Sequence, residues 1–268
     1  MEKVNIGKEN ATFQQICALK ENRNKRASLG LFFVEGIQNI KDALAFDWQI
    51  EAFIYSSETK LSQWAKSVIG RANKNYILSQ PLMEKLSDKE DTSELLALIK
   101  MKDQQAILTE DNPVYLLLDR PSKKGNLGTI IRSCDAFGVT QIFYSGHAVD
   151  IYDHAVVTAS MGSFFKMQKT FIESNTAFLE LVEKLKKLYK AFQVVGTSLQ
   201  TDELIGRCDF TKPTLLLIGN ETDGLCRFYN ENADKLVKIQ MREGIDSLNI
   251  ACAATASLYE IQRQRMTK

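Results

Sequence analysis

VYLLLDRPSKKGNLGTIIRSCDAFGV, residues 114–139, is the stretch whose reading decides the class of fold. It opens on an apolar run without polar alternation, the pattern of a strand buried on both faces of a parallel sheet. Gly125 and Gly128 then bracket Asn126, and a helical pattern follows over 126–137. Strand, tight turn and helix in that order form the first part of a βαβ unit. On spacing alone, Asn126 is a cap at that corner.

Toward the C-terminus, TLLLIG (214–219) is a second continuous apolar run. TQIFYS (140–145), FQVVGT (192–197) and VKIQM (237–241) are further expected strands. Helices are expected near 175–190 and 247–265, the last with Ser247 as its N-cap. This predicts an α/β domain whose sheet is mostly parallel. Toward the N-terminus, Glu110-Asp111-Asn112-Pro113 sets polar residues against a proline, the expected boundary between domains at 1–109 and 114–268. Shorter elements alternate before it. A helix over 10–21 carries Phe13, Ile16, Cys17 and Leu19 at helical spacing. Strands are expected at LFFVEG (31–36), IEAFIYS (50–56), NYILS (75–79) and QQAILT (104–109), with helices near 37–45, 59–69 and 81–88. The N-terminal part is thus a smaller α/β domain.

Composition narrows the function. Lys plus Arg number 34 against 33 Asp plus Glu, so any RNA site must be a local patch rather than a global field. Cys17, Cys134, Cys208, Cys226 and Cys252 are widely spaced, odd in number and without a C-x-x-C pair, which excludes the common zinc and disulfide patterns. A reducing cytoplasm is the expected location, with neither membrane nor metal as a partner. The fingerprints G-x-G-x-x-G, G-x-x-x-x-G-K-[ST], G-x-S-x-G and H-E-x-x-H are all missing, and His147 and His154 are too few for a histidine-based site.

Three segments carry the chemistry, and each follows an expected strand, where ligands bind in open α/β sheets. The first, in the opening stretch, holds Asn126 and Arg132. The second, LLLIGNETDGL (215–225), ends a strand in Gly219-Asn220-Glu221, with Gly224 close behind; glycine permits close backbone approach there. The third, IQMREGIDSLNIACAATASLYE (239–260), runs through Ser247-Leu248-Asn249 into a helix of small residues. Taken singly, these are a helix corner, a tight turn and a tightly packed helix. Asn249 fits least well, because asparagine is a poor helix-interior residue.

Together, and in this order, the segments resemble the three signature motifs of the SpoU/TrmH family of RNA 2'-O-methyltransferases in the SPOUT superfamily. GNLGTIIRSCDAFGV matches the Asn-x-Gly-x-x-x-Arg block, LLIGNETDGL the Gly-x-Glu-x-x-Gly block, and IQMREGIDSLNIACAAT the Ser-Leu-Asn block. HAVVTASMGSFFKM (154–167) resembles the family's segment between the first two motifs. The wording DIYDHAVVTAS (150–160) and IGNE (218–221) is similar to that of the thiostrepton-resistance type of ribosomal RNA methylase. LFFVEGIQNIKDAL (31–44) resembles the family's N-terminal RNA-binding domain, which is like a ribosomal protein.

The resemblance implies a deep trefoil knot in the C-terminal domain, a homodimer formed through that domain, and S-adenosylmethionine as methyl donor. Carried over by motif, Asn126, Arg132, Glu221, Ser247 and Asn249 form the expected catalytic set. Thr197, Ser198, Ile218, Gly219, Asn220, Ile239, Met241, Ser247 and Leu248 are the expected cofactor-binding residues. Arg23, Lys25, Arg26 and Glu35, with Lys20 beside them, are the expected RNA-contacting residues. The implied activity is methylation of a ribose 2'-hydroxyl, with ribosomal RNA preferred as substrate. A transfer RNA ribose methylase, a base methylase and a non-catalytic RNA-binding or ribosome-assembly protein are the alternatives. A guanidinium is effectively always protonated, so Arg132 is expected to anchor phosphate and steady developing charge rather than accept a proton.

Overall fold

The computed structural model describes residues 2–102, 106, 110–242, 244 and 247–266. Its first elements are β1 (Glu2–Ile6), α1 (Ala11–Glu21), α2 (Arg23–Leu29), β2 (Leu31–Glu35), α3 (Ile37–Ala45), β3 (Ile50–Ser56), α4 (Gln63–Val68), β4 (Lys74–Leu78), α5 (Gln80–Leu86) and β5 (Leu96–Lys100). There follow β6 (Val114–Asp119), α6 (Lys124–Ala136), β7 (Gln141–Ser145), α7 (His154–Ala159), α8 (Ser163–Lys166), β8 (Lys169–Ile172), α9 (Asn175–Leu188) and β9 (Gln193–Thr197). The chain ends with β10 (Thr214–Ile218), α10 (Arg227–Glu231), β11 (Lys235–Val237) and α11 (Ile250–Met266). All the expected helices are present, as are most of the strands. The expected strand QQAILT (104–109) lies, Ala106 apart, outside the described residues.

The chain packs as two units, one of residues 1–103 with 150–166 and one of 104–149 with 167–268. The first holds a five-stranded sheet in the order β1-β4-β3-β5-β2. β5 runs antiparallel to both its neighbours, while β1, β4 and β3 are parallel. α1 begins where Asn10 accepts a hydrogen bond from the Phe13 amide, and it buries Phe13, Ile16 and Leu19 against Phe33, Ile54 and Leu96.

Assigning 150–166 to this unit departs from a single cut near residue 110, and side chains explain why. Tyr152, Phe164 and Phe165 pack with Phe32 and Trp48, whose indole donates to the Phe165 carbonyl at 2.9 Å. Arg26 reaches Asp150 at 2.7 Å and Asp153 at 3.4 Å. Aromatic burial and a buried ion pair depend on distant partners that a composition break does not reveal.

The second unit holds a six-stranded sheet, ordered β11-β9-β10-β6-β7-β8 and parallel throughout. β6 and β10 lie at its centre, and every residue of both is buried, as their unbroken apolar runs require. β6, β7 and β8 follow one another outward on one side, whereas β10, β9 and β11 lie on the other. The strand order therefore reverses between β6 and β10. Tyr115, Leu117, Leu215 and Leu217 pack there against Phe178 and Leu185 of α9 and Tyr229 of α10.

Two local expectations change here. VKIQM (237–241) is strand only at Val237, because β11 spans Lys235–Val237 and pairs with β9 alone. Lys238 then bonds to the 203–205 loop, leaving 239–241 outside the strand. Ser247 does not cap the last helix. Asn249 does, its side chain accepting from the Ala251 amide at 2.8 Å and its carbonyl from the Ala253 amide at 2.9 Å. That removes the difficulty of an asparagine inside a helix.

Candidate active site

The loops after β6 and β10 meet at the reversal point of the second sheet. After β10 the chain turns sharply: the Asn220 and Gly224 backbones bond each other at 3.0 and 3.1 Å. The Asn220 side chain closes the turn by accepting from the Thr222 and Asp223 amides. Gly219 is obligatory, since a Cβ there would stand 2.0 Å from the Gly224 carbonyl carbon. Gly224 adopts φ +69°, which glycine reaches without strain.

The turn presents Glu221 to the loop after β6. One carboxylate oxygen accepts from the Ser122 hydroxyl at 2.6 Å and the Ser122 amide at 3.3 Å. The other accepts from the Asn126 side-chain amide at 3.1 Å. Asn126 sits within the first turn of α6 and is not its cap; the oxygen of its side chain accepts from Asn249 Nδ2 at 3.2 Å. A continuous hydrogen-bonded chain thus links Ser122, Glu221, Asn126 and Asn249, joining all three motif segments. Burial pushes the Glu221 carboxyl upward, but the Ser122 and Asn126 hydrogen bonds outweigh it, and the net shift is downward. Glu221 is therefore a fixed anion at neutral pH. Ser122 has no part in the motif spacing; it is recognisable only as the partner of Glu221.

Beside this chain lies a cavity of about 490 Å³, within the usual range for small-molecule sites. Thr197, Ser198, Ile218, Gly219, Asn220, Ile239, Met241, Ser247 and Leu248 all line it, as does Glu221. Its walls come from the ends of β9 and β10, the loop after β11 and the start of α11. Ile218, Val237, Ile239 and Leu248 give it apolar surface, and Gly219 leaves backbone open to a ligand. The tip of the loop before α11, at residues 243, 245 and 246, lies outside the described residues.

Arg132 stands apart from the chain. It is exposed on α6 and makes no hydrogen bond or ion pair with any described residue. A guanidinium so placed is available to a ligand from solvent.

The expected RNA contacts divide. Arg23 is exposed and Lys25 half-buried at the start of α2. Arg26, by contrast, is only 1% exposed, held by Asp150 and Asp153 and donating to the Leu19 and Lys20 carbonyls. Lys20 is buried as well, bound to the Leu86 carbonyl and Asp88. Glu35 is buried and accepts from Ser87, Ser93 and the Asp88 amide. These three groups are spent on the fold of the first unit, and the expectation that they touch RNA is withdrawn.

Comparison with known proteins agrees with the motifs. The SpoU rRNA Methylase family matches residues 113–259, more than half of the chain, and the SpoU L30e-like domain matches 10–97. A 23S rRNA (uridine(2479)-2'-O)-methyltransferase of Streptomyces viridochromogenes is 38% identical over 98% of this chain and 93% of its own. The crystal structure of the SpoU methyltransferase AviRb from Streptomyces viridochromogenes in complex with AdoMet superposes with a TM-score of 0.90 at 37% identity, covering 97% of this chain and 99% of that one. An AdoMet-bound rRNA methyltransferase from Sinorhizobium meliloti gives 0.86 at 26% identity, covering 97% and 98%.

Proposed function

Because the chain belongs to the SpoU rRNA methylase family, we propose that it transfers a methyl group from S-adenosylmethionine to a ribose 2'-hydroxyl of ribosomal RNA. The observation that carries this reading is the Ser122–Glu221–Asn126–Asn249 chain, which meets the cavity at the sheet reversal through Glu221. The cavity suits the cofactor, with apolar walls for an aromatic ring and open backbone at Gly219 for its polar edge. Bound there, S-adenosylmethionine supplies the electrophilic methyl.

The chain's own residues supply position and charge. Glu221 already accepts three hydrogen bonds, so its task is to hold the loops after β6 and β10 in register. That register decides how closely a bound hydroxyl can approach the cavity, and orientation of this kind is worth several orders of magnitude in rate. A guanidinium is a planar cation with several donors, so Arg132 anchors an RNA phosphate and steadies charge developing on the ribose oxygen. Arg23 and Lys25 add phosphate contacts from the first unit. A homodimer through the second unit, a knotted path for its loops and a cytoplasmic location belong to the same proposal; no helix among the described residues is long and apolar enough to cross a membrane.

Mapping of 2'-O-methylation in total RNA from cells with and without the protein tests the proposal. One ribosomal RNA ribose should lose its methyl group in the deletion. No lost site, together with no S-adenosylmethionine binding by calorimetry, would overturn it.

A further inference from the structure

The geometry points to Arg120 as the positioning residue that locks the loop after β10 against the loop after β6, and so sets both the cavity wall and the placement of Glu221. This inference rests on the proposed methyl transfer.

Arg120 follows β6 and holds an unusual backbone conformation, with φ +52°. Its guanidinium lies across the preceding side chain, Nε donating to Asp119 Oδ1 and Nη2 to Asp119 Oδ2, both at 3.0 Å. Asp119 is only 2% exposed while the Arg120 side chain is part-exposed, so this is a two-point ion pair with a buried carboxylate. The same Nη2 donates to the Gly224 carbonyl at 3.3 Å, and the Cys226 amide donates to Asp119 Oδ2 at 2.8 Å. From the other side, the Asn220 side-chain amide donates to the Arg120 carbonyl at 3.2 Å. The turn that carries Glu221 is therefore gripped at Asn220, Gly224 and Cys226 by two consecutive residues of another strand end.

A third strand end joins the lock. The Arg120 amide donates to the Ser145 carbonyl at 3.1 Å. Gly146, at φ +66°, has no side chain where Arg120 passes; a Cβ there would lie 2.6 Å from Arg120 Cγ. Side chain and backbone of Arg120 thus tie together the ends of β6, β7 and β10.

These contacts serve the site rather than the core. Asn220 and Gly224 line the cavity, and Glu221 lies between them in sequence. Gly224 and Cys226 are held by the fork of Arg120 and by its own anchor, Asp119. A lysine carries its three N–H donors on a single nitrogen and lacks the planar fork that reaches two carboxylate oxygens and a carbonyl at once. Releasing Gly224 lets the wall and Glu221 shift together. Misplacement of about 1 Å costs on the order of a hundredfold in rate.

The test uses the full-length chain and the variants Arg120→Met, Arg120→Lys and Arg227→Met. Arg227 lies on α10 beyond the same turn, with its side chain 90% exposed, and serves as the control. Calorimetry gives S-adenosylmethionine affinity, single-turnover assays on the unmethylated substrate RNA give the transfer rate, and thermal melts give stability. Arg120→Met and Arg120→Lys should both bind the cofactor about tenfold more weakly and transfer methyl roughly thirty- to a hundredfold more slowly at a temperature well below their melting points. Arg227→Met should match the wild type. If both Arg120 variants keep cofactor affinity and transfer rate within about twofold while only the melting temperature falls, Arg120 is a structural residue and the inference is wrong. Failure of the wild type itself to bind S-adenosylmethionine would overturn the proposed function instead.

Discussion

At the scale of single residues, Arg132 and Glu221 play opposite parts. Arg132 is unpaired among the described residues, so removing it breaks no hydrogen bond or ion pair with them. Arg132→Ala should retain folding and cofactor affinity but lose about a hundred- to a thousandfold in methyl transfer, some 3–4 kcal/mol of charge stabilisation. Arg132→Lys should also be badly impaired, for want of the planar fork. Near-wild-type single-turnover rates in Arg132→Ala would remove the residue from the mechanism. Glu221 is fully engaged, and its carboxyl is held below its ordinary value of 4.5. A group whose folded pKa is depressed adds stability above its unfolded pKa and loses it as pH falls through the folded one. Glu221→Gln sets an amide donor against either the Ser122 donors or the Asn126 amide, since both carboxylate oxygens now accept. The stability gap between wild type and this variant should be constant from about pH 6 to about pH 8 and should narrow only as pH falls below the ordinary carboxyl range. Denaturant melts across that range would show otherwise if the gap moved near neutrality.

At the scale of elements, α2 and the end of β10 show what local pattern conceals. The polar sequence of α2 resembles a solvated basic helix, yet Arg26 points inward to two carboxylates. Arg26→Ala would remove the buried cation that Asp150 and Asp153 share, a change that typically costs about 3–5 kcal/mol. Chemical denaturation should register that loss in full, whereas Lys25→Ala, at a half-buried side chain on the same helix, should cost far less. Charge reversal at Lys25, alone and with Arg23, then tests RNA contact: affinity should fall and its salt dependence should become shallower. At β10, Gly219→Ala would drive a methyl group into the Gly224 backbone, which cannot yield as a side chain can. The expected outcome is an overpacking cost of about 1–3 kcal/mol together with loss of S-adenosylmethionine binding, read by thermal melts and calorimetry.

At the scale of the molecule, the insertion of 150–166 into the first unit bears on how the protein can be divided. A fragment starting at Asn112 carries Tyr152, Phe164 and Phe165 without Phe32 and Trp48. Exposed aromatic clusters of this kind drive association. Such a fragment should aggregate in size-exclusion chromatography with light scattering, while the full chain runs as a dimer at micromolar concentration. A well-behaved monomeric fragment would show that the segment folds without its aromatic partners.

By itself, the sequence determined the elements whose signal is local. Unbroken apolar runs are legible as β6 and β10 because a strand covered on both faces has no polar positions. The glycines at 219 and 224 mark the turn, the first because a Cβ would strike backbone and the second because glycine reaches its positive φ without strain. Motif order brought Asn126, Glu221 and Asn249 to notice. Three strands escaped: β1 (EKVNI) and β8 (KTFI) carry too few apolar residues to stand out, and β5 (LALIK) escapes despite its apolar run. Only the tertiary structure decided which charges face inward and which residues complete the site. Lys20, Arg26 and Glu35 look like surface groups until residues 50 to 130 positions away bind them. Ser122 and Arg120 acquire their parts only when β10 lies beside β6, about 100 residues on in the chain. A side chain's environment is made by whatever folds against it, and those partners follow from strand order, which no local pattern encodes.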